Sequence, residues 1–149
     1  MSPRVLLASV LLFAGIGGTY AADVASKYPQ VREIFPEANR FGAFEGQPRA
    51  AAIYRGERLL GYALLTNDVA SIPAYSGKPI NTLVALDPAG RITGLAIVHH
   101  EEPILAVGVT EARLKAFTDQ YVGKSAFDRV TVGTERPGYI AVDTISGAT

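Results

Sequence analysis

The sequence predicts an α+β fold in which an antiparallel sheet of hairpins packs with a few helices. Two pairs of apolar segments, each joined by a short turn, indicate two β-hairpins. A helical segment and two more short apolar segments follow them along the chain. Runs of strands followed by a helix are typical of α+β domains. The length of 149 residues suits a single domain.

A short helix and a hairpin are the first predicted elements. Apolar residues recur at helical spacing over residues 24–34, and Pro36 ends the pattern. Residues 49–54 and 59–65 flank a turn that contains glycine, which is typical of a β-hairpin. Residues 67–79 contain two prolines and a glycine, so we predict a long loop there.

A second hairpin is predicted from residues 80–86 and 92–99. The four residues between them, Asp-Pro-Ala-Gly, have proline at the second and glycine at the fourth position of a turn. Apolar side chains occupy both faces of the later segment, which predicts a central strand covered on both sides.

One amphipathic helix is predicted after the second hairpin. Thr110 is placed to cap its N-terminus, and Leu114, Phe117 and Tyr121 share one face. Gly123 is predicted to end it.

Composition and charge exclude several classes of function. Fourteen basic and fourteen acidic residues cancel without forming a basic stripe, which argues against contact with nucleic acid. Cysteine is absent, which excludes disulfides, thiolate nucleophiles and iron–sulfur ligation from this segment. His99 and His100 are the two histidines, and adjacent histidines chelate poorly without converging partners, so no metal site is predicted. No paired general acid and base and no phosphate-cradling loop are found.

Residues 1–21 are predicted to be a signal peptide. Arg4 supplies a positive charge, and residues 5–16 form an apolar run that small residues follow. The alternative is an uncleaved N-terminal anchor, although this run is shorter than the roughly 20 residues that span a membrane. In either case residues 22–149 are predicted to lie in the periplasm.

The C-terminal end of the chain is predicted to be a turn that a phosphate can approach. It follows two predicted short strands, residues 130–132 and 139–142, and ends on Ser146, Gly147, Ala148 and Thr149. Short side chains and free backbone N–H groups let a bulky anionic group approach closely. Asp143 is predicted to shape the turn by accepting hydrogen bonds from downstream N–H groups. By itself, such a run is also compatible with a plain helix cap.

The spacing Asp-x-x-Ser-Gly-Ala-Thr, from Asp143 to Thr149, resembles the flavinylation motif of the FMN-binding domain family. In that family a dedicated flavin transferase links the FMN phosphate to the hydroxyl of the last threonine as a phosphoester. The resemblance therefore implies covalent FMN on Thr149 and a flavin transferase as a partner. It also implies that residues 22–149 are an FMN-binding domain truncated at its flavinylation motif.

Two further segments resemble the same family. Residues 75–80 lie where its members have a glycine-rich loop, and residues 99–105 lie where they have a segment near the flavin. The doubled histidine, together with the Glu-Pro-Ile-Leu that follows Glu101, resembles a branch of the family that is associated with nitrous oxide reductase. The Thr-Pro-Gly-Leu-Gly loop of other members is missing, which implies a different environment for the flavin ring. The cofactor-binding residues implied by these segments are Tyr75, Ser76, Gly77, Lys78, Glu102, Pro103, Ile104 and Leu105.

Several of these positions have two interpretations. Tyr75 either stacks on the flat isoalloxazine ring or shields the core. Lys78 lies either near the flavin, where positive charge stabilises the reduced form, or in solvent. His99 and His100 alternate across the end of a strand, so they cannot both face the same pocket.

The resemblance implies an exported electron-transfer domain that supports nitrous oxide reductase in denitrification. A domain of this kind holds a redox cofactor and is not a stand-alone catalyst. Its expected partners are the membrane and iron–sulfur part of the full-length protein, which tethers it to the inner membrane, and the nitrous oxide reductase system. The alternatives are a non-redox sensor or scaffold for nitrous oxide reductase maturation, or the flavin subunit of an ion-pumping redox complex.

Overall fold

The computed structural model describes residues 22–145, in which a five-stranded sheet, a two-stranded sheet and short helices confirm the predicted α+β class. The helices are α1 (Val24–Lys27), α2 (Gln30–Ile34), α3 (Thr66–Val69), α4 (Pro103–Val107) and α5 (Glu111–Asp119). The strands are β1 (Arg40–Phe41), β2 (Ala50–Arg55), β3 (Arg58–Leu65), β4 (Asn81–Leu86), β5 (Ile92–His99), β6 (Val130–Val132) and β7 (Ile140–Val142). The predicted signal peptide and the four small residues at the C-terminal end lie outside the described residues.

The larger sheet follows chain order, β1-β2-β3-β4-β5, and every neighbouring pair is antiparallel. Both predicted hairpins are therefore confirmed. Gly56 in the first turn has a φ of 58° and Gly90 in the second has a φ of 79°, a region that glycine enters without steric penalty. Asp87 closes the second turn because its Oδ1 accepts hydrogen bonds from the backbone N–H groups of Ala89 and Arg91, at 2.9 and 2.8 Å.

The main core lies between one face of this sheet and the helices α1 and α2. Val24, Val31 and Phe35 on the helical side cluster with Ile53 and Leu83 on the sheet side. All five are buried. Full burial of side chains this size stabilises a fold by roughly 1.5–3 kcal/mol each, so this layer fixes the sheet on which the site is built.

The predicted single helix over residues 24–34 is wrong, because α1 and α2 are separate. Asp23 caps α1, since its Oδ1 accepts a hydrogen bond from the backbone N–H of Ser26 at 2.6 Å. Pro29 then has no N–H to donate, and it disfavours helical geometry at Tyr28 before it. Tyr28 accordingly has φ −131° and ψ 81°, which interrupts the helix.

The strand β5 lies at the edge of the sheet, so the prediction of a central strand is wrong. Within residues 22–145 its one strand partner is β4. Helices cover its two faces instead. A Cβ added at Gly94 would lie 2.8 Å from Ile34 of α2, and Leu95 and Ile97 on the opposite face line a cavity with α5. An apolar pattern on both faces indicates burial on both sides, and helices provide that burial here.

The remaining segments are partly as predicted. Thr110 caps α5 by accepting a hydrogen bond from the backbone N–H of Arg113 at 3.2 Å, as predicted. The predicted loop over residues 67–79 instead begins within the short helix α3, and α4 was not predicted, although Pro103 at its first position suits a helix start. β6 and β7 form a separate parallel pair. No helix within residues 22–145 is long and apolar enough to cross a membrane.

Candidate functional site

Two segments that the sequence singled out meet at the end of the sheet where β4 begins and β5 ends. The backbone N–H of Ser76 donates a hydrogen bond to Oε1 of Glu102 at 2.9 Å. Lys78 Nζ donates to Oε2 of Glu101 at 2.5 Å. The loop before β4 is therefore held against the segment after β5 by two contacts between residues more than twenty positions apart.

The loop before β4 is also closed by its own hydrogen bonds. The backbone N–H of Ala74 donates to the carbonyl of Lys78 at 3.0 Å, and that of Gly77 donates to the carbonyl of Ala74 at 3.0 Å. Gly77 has a φ of 80°, which fits the tight turn. Tyr75 is 80% exposed at the tip, so it does not shield the core. Its stacking on a flavin ring stays a prediction.

Among the acidic residues of the described fold, Glu102 is the buried one, with 1% of its surface exposed. Its Oε1 accepts the hydrogen bond from Ser76, whereas its Oε2 is buried without a partner among residues 22–145. A buried polar atom without a partner costs about 1–3 kcal/mol, and more when it is charged. The fold therefore keeps a carboxylate oxygen whose hydrogen-bonding capacity the described residues leave unused.

Glu101, by contrast, forms a surface ion pair. The hydrogen bond from Lys78 is the main cause that lowers the pKa of Glu101, and partial desolvation opposes it. His99 Nε2 lies 3.9 Å from Oε1 of Glu101 and is well exposed. Exposed pairs of this kind are worth little stability, so the contact mainly orients the Lys78 side chain toward the segment after β5. The ring of His100 is half-buried, and its Nδ1 has no partner among the described residues.

An apolar cavity of about 290 Å³ lies between β5, α4 and α5. Its walls are Thr66, Ile80, Thr82, Leu95, Ile97, Leu105, Leu114, Phe117, Thr118, Tyr121 and Ile145. The rings of Phe117 and Tyr121 pack edge to face, with centroids 5.8 Å apart, and burial raises the pKa of the Tyr121 phenol. Ligand pockets are mostly apolar with a few polar groups, and their volumes begin near 300 Å³. This cavity is therefore large enough for part of a mainly apolar ligand.

The chain that leads to the C-terminal motif is anchored beside this cavity. Ile145, the residue directly before Ser146, is 4% exposed and forms part of the cavity wall. The side-chain amide of Gln120 exchanges two hydrogen bonds with the backbone of Asp143. Thr149 is four residues beyond Ile145 in the sequence.

A shallower cavity of about 220 Å³ lies next to the same stretch of chain. Arg113, Phe117 and Gln120 of the α5 side line it together with Asp143 and Thr144. A guanidinium group can bind phosphate through two parallel hydrogen bonds. Arg113 therefore places a guanidinium group in the same cavity wall as Asp143 and Thr144, which lead into the motif.

The residues that the resemblance implied fall into three groups. Leu105 lines the apolar cavity, and Asp143 lines the shallow one. Tyr75 and Lys78 lie in the loop outside both walls, and Pro103 and Ile104 begin α4 with exposed side chains. Ser146, Gly147, Ala148 and Thr149 lie outside the described residues. The binding roles of all of these residues stay predictions.

Several wall residues were not predicted as part of a site. The face formed by Leu114, Phe117 and Tyr121 was visible in the sequence, but helical spacing alone does not distinguish a core face from a cavity wall. Gln120 gave no signal, because a polar residue near a helix end is ordinary. Residues 22–145 contain no group of three or more His, Cys, Asp or Glu side chains placed to hold a metal ion.

Known proteins resemble this chain over most of its length. The model of the FMN-binding domain family matches residues 75–149. A protein from Pseudomonas aeruginosa, named Regulatory protein NosR, is 40% identical over 147 residues, which cover 98% of this chain and 21% of that protein. Regulatory protein NosR from Stutzerimonas stutzeri is 36% identical over 130 residues, covering 87% and 18% of the two chains. Protein NirI from Paracoccus denitrificans is 35% identical over 94 residues, covering 63% and 14%. The chain thus spans about a fifth or less of the length of these relatives.

Proposed function

This chain belongs to the FMN-binding domain family, and we propose from that premise that it carries FMN covalently, through a phosphoester to the hydroxyl of Thr149. The family match and the similarity to the NosR proteins confirm the resemblance predicted from the sequence motifs. They support a flavin-binding role. Covalent attachment and electron transfer are proposed in addition to flavin binding.

The position of Ile145 is the observation that carries the proposal. Its side chain is buried in the wall of the apolar cavity, and the next four residues are the Ser-Gly-Ala-Thr run. A phosphate on Thr149 would therefore be tethered close to a cavity that suits the apolar part of a ring system. The residues between Ile145 and Thr149 have small side chains, which would leave room for the ribityl chain.

The attachment step needs a separate flavin transferase that uses FAD and Mg²⁺. In this step the Thr149 oxygen forms a bond to the flavin-side phosphorus of FAD, and the pyrophosphate bond breaks. AMP leaves, and the hydroxyl proton is released. Arg113 is placed beside the chain that enters the motif, where its charge offsets the negative phosphate.

The described residues fit the remaining tasks of a flavin site. Leu105, Phe117 and Leu114 provide apolar surface that excludes water from one side of the cavity. The Oε2 of Glu102, unpartnered among residues 22–145, is available to accept a hydrogen bond. When bound, flavin supplies one- and two-electron redox chemistry, and the protein supplies position and electrostatics.

The physiological role that we propose is electron transfer outside the cytoplasm. The expected signal peptide or anchor at residues 1–21 supports export, and a covalent tether would keep a cofactor from diffusing away there. The similarity to NosR supports a role in the nitrous oxide reductase system of denitrification. The membrane and iron–sulfur part of the full-length protein would then exchange electrons with this domain.

Intact mass spectrometry tests the attachment. The full-length protein is coexpressed with a flavin transferase, and wild type is compared with Thr149→Ala. We expect a gain of FMN less one water in wild type and no gain in the variant. Thr134→Ala is the matched control, because it makes the same change at an exposed threonine outside the motif. No gain in wild type would refute the proposal.

A second candidate function is a non-redox sensor or scaffold for nitrous oxide reductase maturation. The word "regulatory" in the names of the two NosR relatives favours it. A redox titration distinguishes the two functions, since a sensor without flavin shows no reversible change in visible absorbance.

A further inference from the structure

We propose that Gln120 is a positioning residue for flavin attachment, because its side-chain amide fixes the backbone that leads into the acceptor motif. The inference rests on the proposed attachment at Thr149. It assigns a task to a polar side chain that contacts the backbone of Asp143 and lies outside the wall of the apolar cavity.

The side-chain amide of Gln120 bonds to the backbone of Asp143 as a neighbouring strand would. The backbone N–H of Asp143 donates to Oε1 of Gln120 at 2.8 Å, and Nε2 of Gln120 donates to the carbonyl of Asp143 at 3.1 Å. A residue that exchanges both backbone bonds with one partner has the pattern of a hydrogen-bonded pair in an antiparallel sheet. A primary amide carries a donor and an acceptor side by side, so it can reproduce this pattern.

This contact lies where the chain would otherwise lose its support. β7 is paired with β6 as far as Val142, whose carbonyl also accepts a hydrogen bond from the N–H of Gly133 at 3.0 Å. Asp143 and Thr144 then run along the surface, exposed, before Ile145 is buried again. Asp143 and Thr144 thus lie between the paired strand β7 and the buried Ile145 and pair with no described strand themselves. The amide of Gln120 holds this segment.

Gln120 is itself held in place. It follows directly after Asp119, the last residue of α5, and its backbone carbonyl accepts a hydrogen bond from Lys124 Nζ. The amide is thus carried by a helix end whose position does not depend on the motif. This donor–acceptor pair fixes the backbone at Asp143, three residues before Ser146 in the sequence, and attack on phosphorus requires the acceptor hydroxyl to be aligned.

Three variants separate this task from a merely structural one. Gln120→Met has a side chain of similar length and removes both hydrogen bonds. Gln120→Glu keeps the acceptor for the Asp143 N–H but places a second oxygen against the Asp143 carbonyl. Ile53→Val is the control for stability, because this fully buried residue lies in the main core and the change typically costs about 0.5–1.5 kcal/mol.

The experiment measures the initial rate of flavin attachment to the full-length apoprotein with purified transferase, FAD and Mg²⁺, well below the unfolding temperature. We expect Gln120→Met and Gln120→Glu to lower kcat about tenfold, the factor that corresponds to about 1.4 kcal/mol, with little change in KM for the protein acceptor. Ile53→Val should lower the melting temperature and leave kcat unchanged.

Equal kcat values for wild type and both Gln120 variants would overturn the inference. An equal loss of rate in Ile53→Val would also overturn it, because stability alone would then explain the effect. Absence of any attachment to wild type would overturn the proposed function itself, and this inference with it.

Discussion

Truncation of Ile145 should destabilise the protein by about 2–3 kcal/mol. Ile145→Ala removes three carbon groups from a side chain that is 4% exposed, and each buried group contributes about 0.8 kcal/mol. Isoleucine to alanine changes in protein cores cost about 2–5 kcal/mol, the upper values coming from the new cavity they leave. Ile145 already borders a cavity of about 290 Å³, so its loss adds little new void, and the lower part of that range applies.

Urea unfolding followed by circular dichroism measures this change as a shift in midpoint at constant slope. Ile72→Ala is the matched control, since it makes the same truncation at a residue that is 72% exposed. Exposed substitutions usually change the free energy of unfolding by less than about 0.5 kcal/mol. If both variants changed the free energy of unfolding by the same small amount, the Ile145 side chain would not anchor the chain that leads to the motif.

Three further outcomes follow from the described residues. Gly61→Ala should lower the melting temperature by roughly 4 °C or more, because a Cβ there would lie 2.1 Å from the carbonyl oxygen of Leu86 and would push β3 away from β4. A melting temperature like that of wild type would contradict this packing. The folded-state pKa of Glu101 is lowered from its usual 4.5, so the stability it contributes is present above about pH 4.5 and is lost as pH falls through the lower folded value. Lys78→Met should raise the pKa of Glu101 toward 4.5 in an NMR titration of its carboxyl group, and an unchanged pKa would refute the pairing. Burial raises the pKa of Tyr121 above 10.0, so stability should fall as pH rises through its folded value, and Tyr121→Phe should remove one late-titrating phenol from an ultraviolet titration. A titration curve like that of wild type would contradict the burial of this ring.

Local patterns account for the parts of the fold that the sequence predicted. The two hairpin turns depend on Gly56 and Gly90, and α5 depends on the Thr110 cap, and each of these signals acts within a few residues. The edge position of β5 could not be predicted in this way. Its two apolar faces are explained by α2 and α5, which come from distant parts of the chain.

The candidate site was predictable only where a motif marked it. The Asp-x-x-Ser-Gly-Ala-Thr spacing identified the acceptor segment, because the resemblance gives that spacing a meaning which composition lacks. The contact between Ser76 and Glu102 joins residues 26 positions apart, and no local pattern predicts it. The pairing of Gln120 with Asp143 likewise depends on how α5 and β7 pack together.

Attachment at Thr149 is tested by locating the flavin on the full-length protein by tandem mass spectrometry of the peptide that contains the motif. We expect a phosphoester-linked FMN on Thr149 and none on Thr144 or Ser146. A flavin on either of those other hydroxyls, or flavin released intact on denaturation, would contradict attachment at Thr149.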